Sequence, residues 1–560
     1  MTLTDERTPE APESAAAAGT GSPADSSRSR VTAWVVEHHH LLLIGAVVIL
    51  YAFYFTPPAA SAHLRNDIGV QLHLSIETAN GAMPIRDFYH GWNMGGWYVG
   101  ALMYRLVGGD PGLWMVGWIG VTGLALQAIA STIIAHRARV GRAAIVAIAL
   151  GCAFVIRVPN GKYSVPALWV LAIVFTRELP FRRRAIAYAL CGGITVLLHV
   201  ELAGLCAFGT VLAETFHVGN KADLRRGFQA AFALGTGIAI AIGLEVALLA
   251  SQGLGAREAV ELIFPFGPSD SSGTEKFGWL LGRPGNIVAA FFPLLILAPF
   301  VPSVFQRLSP ITRLVAFVNL SLTIIALQRA DAAHLYAMAA MIPLQIALVL
   351  RDVAASDERP KLDPTPVDLL VIGVGAAWAA GSVMFTFNAS GLVIVPFLAA
   401  TALVGVLVGT RVRPVAWSSG ALVILALVGI VGTGMREREE RRTGSTAYPI
   451  AEQYAAEFRP LADQCTGGSD DVFIMPGPPI YYEALAYENP TPYYLFWTAG
   501  GRRERVLTEM LDTGEVQNIL IIGGMPGTMA ALSPIMEEKF DRCIDQEVIG
   551  VRSILFTYRG

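Results

Sequence analysis

Pro84-Ile85-Arg86-Asp87-Phe88-Tyr89-His90-Gly91-Trp92-Asn93-Met94-Gly95-Gly96-Trp97-Tyr98, with His63-Leu64-Arg65-Asn66-Asp67-Ile68-Gly69-Val70 shortly before it, crowds acids, bases and aromatics into one segment of an otherwise apolar chain. The segment follows directly on the hydrophobic run Leu41 to Phe55. Ionisable groups close to a membrane span are costly, and they persist mainly where they line a functional cavity or find partners. We therefore read this first polar loop as an active site at a membrane surface, and the fold as one built to hold it there.

Composition agrees. Of 560 residues 54% are hydrophobic and only 15% charged, with a mean hydropathy of +0.51, well outside the balance of a soluble domain. This points to a polytopic α-helical membrane protein. The net charge of −3 gives no reason to expect a nucleic-acid partner. Residues 1–38, rich in Ala, Ser, Pro and acids, are expected to be a disordered tail, and no cleavable signal peptide is apparent. Arg28, Arg30 and the histidines before Leu41 place that tail in the cytoplasm.

Basic connectors recur at Arg137 to Arg142, Arg177 to Arg184, Lys221 to Arg226, Arg307 to Arg313, Arg351 to Lys361 and Arg411 to Arg413. The positive-inside rule puts all of these in the cytoplasm, and the apolar lengths between them give about 13 transmembrane helices over residues 39–434. An odd count leaves the C-terminus outside. Within the first outer loop, residues 57–112, Ile68, Leu72, Ile76 and Ala79 share one helical face. Gly95 to Gly108 is apolar but short and contains Arg105; both segments are expected to be interfacial helices.

Composition changes again after Gly434. Asp471 to Met475 and Ile519 to Ile522 read as short buried strands and Glu504 to Leu511 as a helix, so residues 435–560 are expected to form a small extracytoplasmic α/β domain. In that compartment Cys465 and Cys543 can pair. No Cys-x-x-Cys spacing, Walker loop or dinucleotide fingerprint occurs; no cofactor is expected, with a divalent cation left open.

Most groups able to do chemistry fall on the outer side: Asp67, Arg86, Asp87, Tyr89, His90, Lys162, Glu201, Arg329 and His334. Nucleotide-activated substrates are not supplied there, so an activated substrate has to arrive in the membrane, as a lipid-linked phosphosugar does. Transfer from such a donor needs a carboxylate base and cations for the phosphate leaving group. His199 and Glu201 interrupt an apolar run, where an acid is seldom kept without a partner or a task.

Asn66-Asp67, Pro84-Ile85-Arg86-Asp87-Phe88-Tyr89-His90-Gly91 and Trp97 to Gly108 resemble the first outer loop of GT-C-type glycosyltransferases, polytopic enzymes that take sugars from polyprenyl-phosphate donors. The resemblance implies an inverting transfer from a polyprenyl-phosphate sugar to an extracytoplasmic glycan or lipid acceptor at the plasma membrane. Asp67 occupies the position of the base. Ile68 stands where many members carry a second acid, so the paired-acid motif is absent and both metal dependence and the division of the catalytic role between Asp67 and Asp87 stay open. Arg329-x-Asp331-x-x-His334 resembles a later outer-loop motif whose basic residues meet the lipid phosphate, and Arg86, Tyr89, His90, Lys162 and Glu201 complete the expected substrate-binding set. The Ala/Gly/Val/Arg-rich composition suits a high-GC bacterium such as an actinomycete. Two other readings are a transporter or lipid-linked-sugar flippase, which would carry inverted repeats and midplane sites, and a polysaccharide polymerase or ligase, which concentrates its polar loop late in the membrane domain.

Overall fold

The computed structural model describes residues 67–88, 94–141, 164–217, 222–263, 296–328, 341–355, 447–475, 480–491, 502–523 and 532–560, with a few isolated positions besides. Nearly all of the expected first span, Leu41 to Phe55, and the basic connector Arg411 to Arg413 lie outside the described residues.

The polar loop opens with two helices, α1 (Asp67–Asn80) and α2 (Met94–Leu106). Helix α1 stops at Gly81, whose φ of 111° only glycine adopts readily. There the Ala82 N–H reaches back to the Glu77 carbonyl at 3.0 Å. Helix α3 begins at Pro111, with Asp110 accepting from the Leu113 N–H at 2.8 Å as its cap. It runs Pro111–Met115, through a π-helical stretch Val116–Ala125, into Leu126–Arg137. The continuous helix from Gly112 to Arg137 is one of two among the described residues that are long and apolar enough to cross a membrane.

The bundle continues with α4 (Val165–Thr176), α5 (Phe181–Leu198), α6 (Val200–Thr215), α7 (Leu224–Ser251), α8 (Ala256–Ile263), α9 (Pro310–Gln328) and α10 (Ile342–Ala355). Helix α7, 28 residues long, is the second candidate span. Small residues let these helices approach closely. A Cβ on Gly237 of α7 would lie 1.8 Å from the Ala189 carbonyl oxygen of α5, and one on Gly192 would meet the Leu234 carbonyl at 2.8 Å. The contact pairs 192 with 234 and 193 with 237, so α5 and α7 run parallel. Helix α6 packs on α9 the same way, through Gly209 against the Phe317 backbone. At the ends bearing the basic connectors, the buried Glu214 carboxylate pairs with Arg177 at 2.8 Å and with Arg226, and the Tyr188 hydroxyl donates to it at 3.3 Å.

The last part of the chain forms α11 (Ala447–Thr466), β1 (Phe473–Met475), α12 (Ile480–Leu485), α13 (Arg502–Thr513), β2 (Asn518–Ile522), α14 (Ser533–Lys539), β3 (Phe540–Val548) and β4 (Val551–Tyr558). The strands make one sheet in the order β1-β2-β4-β3, with β1 and β2 parallel and the other pairs antiparallel. Alternation of side chains across β1 and β2 feeds two separate cores. Ile474, Leu520 and Ile522 pack with Tyr454 and Phe458 of α11, while Phe473, Ile519 and Ile521 pack with Leu507 and Leu511 of α13. Cys465 at the end of α11 is disulfide-bonded to Cys543 in β3, with Cα atoms 6.1 Å apart. Cys543 sits where the β3–β4 register shifts, between Arg542 and Ile544, and a bulge of this kind re-aims a side chain out of the ladder.

Candidate active site in the first polar loop

Helix α1 is not the surface-lying amphipathic helix expected from its apolar stripe. It is buried on opposite flanks: Leu72 and Ile76 pack with Trp114, Met115 and Trp118 of α3, and Val70 and Leu74 pack with Phe88 and Trp97. Its polar residues are accommodated locally. The Ser75 hydroxyl donates to the Gln71 carbonyl at 2.6 Å and Thr78 to the Leu74 carbonyl at 2.7 Å, and the Gln71 amide oxygen accepts from the Trp118 indole at 2.7 Å. That last bond lands in the π-helical stretch, a distortion found often at functional sites. Asp67 is the first residue of α1, one turn from Gln71 and at the end away from Gly81.

Helix α2 runs parallel to α1. Gly100 faces Ser75 so closely that a Cβ there would come within 2.3 Å of the Ser75 hydroxyl, and the Arg105 guanidinium donates to the Ala79 carbonyl, serving the end of α1 where carbonyls lack helical partners. The Trp114 indole donates to the Gly100 carbonyl at 2.9 Å. The expected helix over Gly95 to Gly108 is thus present as Met94–Leu106, with Trp97 and Ala101 buried and Leu102 and Leu106 exposed.

Between the two helices the chain makes a tight turn over residues 83–88. The Ile85 N–H donates to the Phe88 carbonyl at 2.8 Å and the Asp87 N–H to the Met83 carbonyl at 2.9 Å. Ile85 has φ of +75°, a conformation that a β-branched residue adopts only when its surroundings impose it. Those surroundings are visible: Ile85 is buried with Met83, Met94, Leu249, Ala259 and Ile263. Phe88 is held by Val70 and Leu74 and by an edge-to-face contact with Trp97 at 5.7 Å. Because Val70 is one turn from Asp67, the packing brings this turn alongside the Asp67 end of α1.

Arg86 and Asp87 form a two-pronged ion pair, Nε to Oδ1 at 2.5 Å and Nη2 to Oδ2 at 2.7 Å. Asp87 Oδ2 also accepts from the Met83 N–H at 2.7 Å. The Arg86 hydrogen bonds, helped by the Met83 N–H, hold the Asp87 carboxyl below the usual carboxylate range, and the same pairing raises Arg86. Both Asp87 oxygens are occupied, and the pair anchors the turn. The remaining arm of Arg86 donates to Gln252 at 3.2 Å.

Gln252 lies just past the end of α7, and α7 supplies the other wall. Glu245, buried within α7, accepts from the Met94 N–H at 3.0 Å. This carboxylate caps the N-terminus of α2 from another helix, where the helix dipole favours negative charge. On the neighbouring side α5 and α6 meet at the single extended residue His199, whose ring nitrogen Nδ1 accepts from the Leu202 N–H at 3.5 Å. Val196 and Val200, flanking it, pack on Ala241, one turn before Glu245. The carbonyl of Leu197 approaches the α2 N-terminus closely enough to require Gly95.

Of the residues expected from sequence, the structure therefore draws Asp67, Arg86 and Asp87 into one loop assembly, and places Glu201 exposed on the first turn of α6, two residues after His199. Tyr89, His90, Lys162, Arg329 and His334 lie outside the described residues. Glu245 was missed, although an acid in the apolar run around Leu244-Glu245-Val246 carries the same signal as Glu201.

Comparison with solved structures finds the fold of ArnT from Cupriavidus metallidurans in the apo state, at TM-score 0.50 and 14% identity, aligned over 94% of this chain and 98% of that one. ArnT from the same organism bound to undecaprenyl phosphate aligns over the same shares at TM-score 0.45 and 14% identity. No family model matches the chain, and no curated protein sequence matches it. What is shared is the fold: this chain has a mostly helical architecture like that of ArnT.

Proposed function

We propose that the protein is a plasma-membrane glycosyltransferase of GT-C type that moves a sugar from a polyprenyl-phosphate donor to an extracytoplasmic glycan or lipid acceptor. The observation that carries the reading is the assembly around α1. A carboxylate-bearing helix start, a strained and ion-paired turn and a capped second helix are all pinned against the bundle, in a fold shared with ArnT, and the sequence of this loop resembles that of GT-C-type glycosyltransferases. Function-bearing loops held this rigidly suit chemistry that depends on positioning.

In this reading Asp67 takes the proton of the acceptor hydroxyl as its oxygen attacks the anomeric carbon. The bond from that carbon to the phosphate oxygen breaks in the same displacement, inverting the centre, and polyprenyl phosphate leaves with the electron pair. Arg329, His334, His90 and Lys162 are the groups proposed to meet the phosphate charge. Arg86 and Asp87 act on the turn, holding it beside α1. The N-terminus is placed in the cytoplasm and residues 435–560 outside, a placement that the Cys465–Cys543 disulfide favours.

The test is Asp67→Asn, which keeps size and capping ability but removes the base. General-base assistance is worth roughly 10²- to 10⁴-fold, so transfer should fall by that factor with insertion and folding intact. Undiminished turnover at saturating donor and acceptor would remove Asp67 from the role.

A further inference from the structure

The ends of α5 and α7 far from the polar loop carry charges that the proposed reaction does not use. Arg182, Arg183 and Arg184 occupy the first turn of α5, and Arg225 and Arg226 that of α7. Carrying the parallel contact of the two helices (192 with 234, 193 with 237) back by ten residues sets Arg182 and Arg183 beside 224 and 227. The arginines thus share one level. Positive side chains there oppose the positive end of two helix dipoles.

The carboxylates nearby offset them only in part, since Glu178 is paired with Arg137 at 3.1 Å. Glu214 is taken by Arg177 and Arg226, and Asp223 caps α7 by accepting from the Arg226 N–H at 3.0 Å. Arg182, Arg183 and Arg225 are exposed and make no ion pair among the described residues. Between the two helix starts lies only a small cavity of about 10 Å³, lined by Phe181, Arg184, Tyr188, Glu214, Arg226 and Gln229, so a headgroup has to sit on the exposed surface above it. Beyond it, exposed apolar side chains continue along the pair: Leu224, Phe228 and Phe232 on α7, Ile186 and Leu190 on α5. A surplus of cations at the head of an exposed apolar face matches a molecule with an anionic head and hydrocarbon tails.

We propose that this end of the α5–α7 pair binds an anionic phospholipid, its phosphate headgroup among Arg182, Arg183 and Arg225 and its acyl chains along the Phe228–Phe232 and Ile186–Leu190 faces. Basic pockets between membrane helices recognise acidic headgroups in this way, each arginine at the surface strengthening binding roughly five-fold.

The experiment is native mass spectrometry of the full chain in detergent, titrated with phosphatidylglycerol or with phosphatidylcholine of identical acyl chains. Phosphatidylglycerol should be retained preferentially, and Arg182→Ala combined with Arg225→Ala should weaken its retention by about 30-fold, two such factors together, with phosphatidylcholine unaffected. Both side chains are exposed and unpaired, so the variant should elute and melt as the wild type. Equal retention of the two lipids by the wild type overturns the proposal without recourse to any variant, as does unchanged phosphatidylglycerol retention in the double variant. Neither result bears on the transfer reaction.

Discussion

Replacing Cys465 and Cys543 by serine should strip the C-terminal domain of most of its stability. The disulfide closes a loop of 78 residues. In the chain-entropy model a loop of that length restricts the unfolded state by about 15 cal/mol/K, or about 4.5 kcal/mol at 25 °C. Small domains are stable by only about 5–15 kcal/mol in total, so the double variant would sit close to its unfolding midpoint under mild conditions. With a urea dependence of about 2 kcal/mol/M, the midpoint should fall by about 2 M. The assay is urea-dependent pulse proteolysis of the full chain in detergent, following cleavage within residues 447–560. A midpoint equal to the wild type, with the wild-type protein oxidised, would refute the reasoning. So would free thiols at both positions in protein isolated without reductant.

Two further expectations concern the polar loop. Glu245→Leu leaves the buried Met94 N–H without its acceptor, a loss of about 1–3 kcal/mol, and should lower the melting temperature of the detergent-solubilised protein; Glu245→Gln, which keeps an acceptor oxygen, should restore most of it, and equal melting of all three forms would refute the cap. The lowered Asp87 carboxyl stabilises the folded loop at any pH above its unfolded value near about 4, and that contribution is lost as pH falls through the lower folded value. Asp87→Asn should therefore flatten the acid limb of the stability profile below about pH 4, read by thermal melts across pH; an unchanged limb would show that the pair is not coupled to folding.

How much of this was legible in the sequence differs from element to element. Strands β1 and β2 could be read from Val472-Phe473-Ile474-Met475 and Ile519-Leu520-Ile521-Ile522 because both faces of each strand are covered, so the apolar run is continuous. Strand β3, Phe540–Val548, could not: it is a sheet edge with Asp541, Arg542, Gln546 and Glu547 exposed, and charge on an edge guards it against further pairing. The break at His199 was visible as a polar interruption and became the one-residue junction of α5 and α6. The burial of α1 was hidden because Gln71, Ser75 and Thr78 look like a solvent face; their hydrogen bonds to Trp118 and to the helix's own carbonyls are what make burial tolerable. Glu245 stands out in the sequence as an acid in an apolar run, but its partner Met94, 151 residues away, could not be read from it. The strain at Ile85 comes from packing against α7 and α8, which no local pattern encodes.

The central claim, sugar transfer from a lipid-linked donor, is tested most directly by incubating the purified full-length protein with a panel of polyprenyl-phosphate sugars and an extract of envelope glycans and lipids, and measuring release of free polyprenyl phosphate. The account predicts release from one donor, dependent on acceptor and reduced at least about 100-fold in Asp67→Asn. No release from any donor in the panel, or release that Asp67→Asn leaves unchanged, would contradict it.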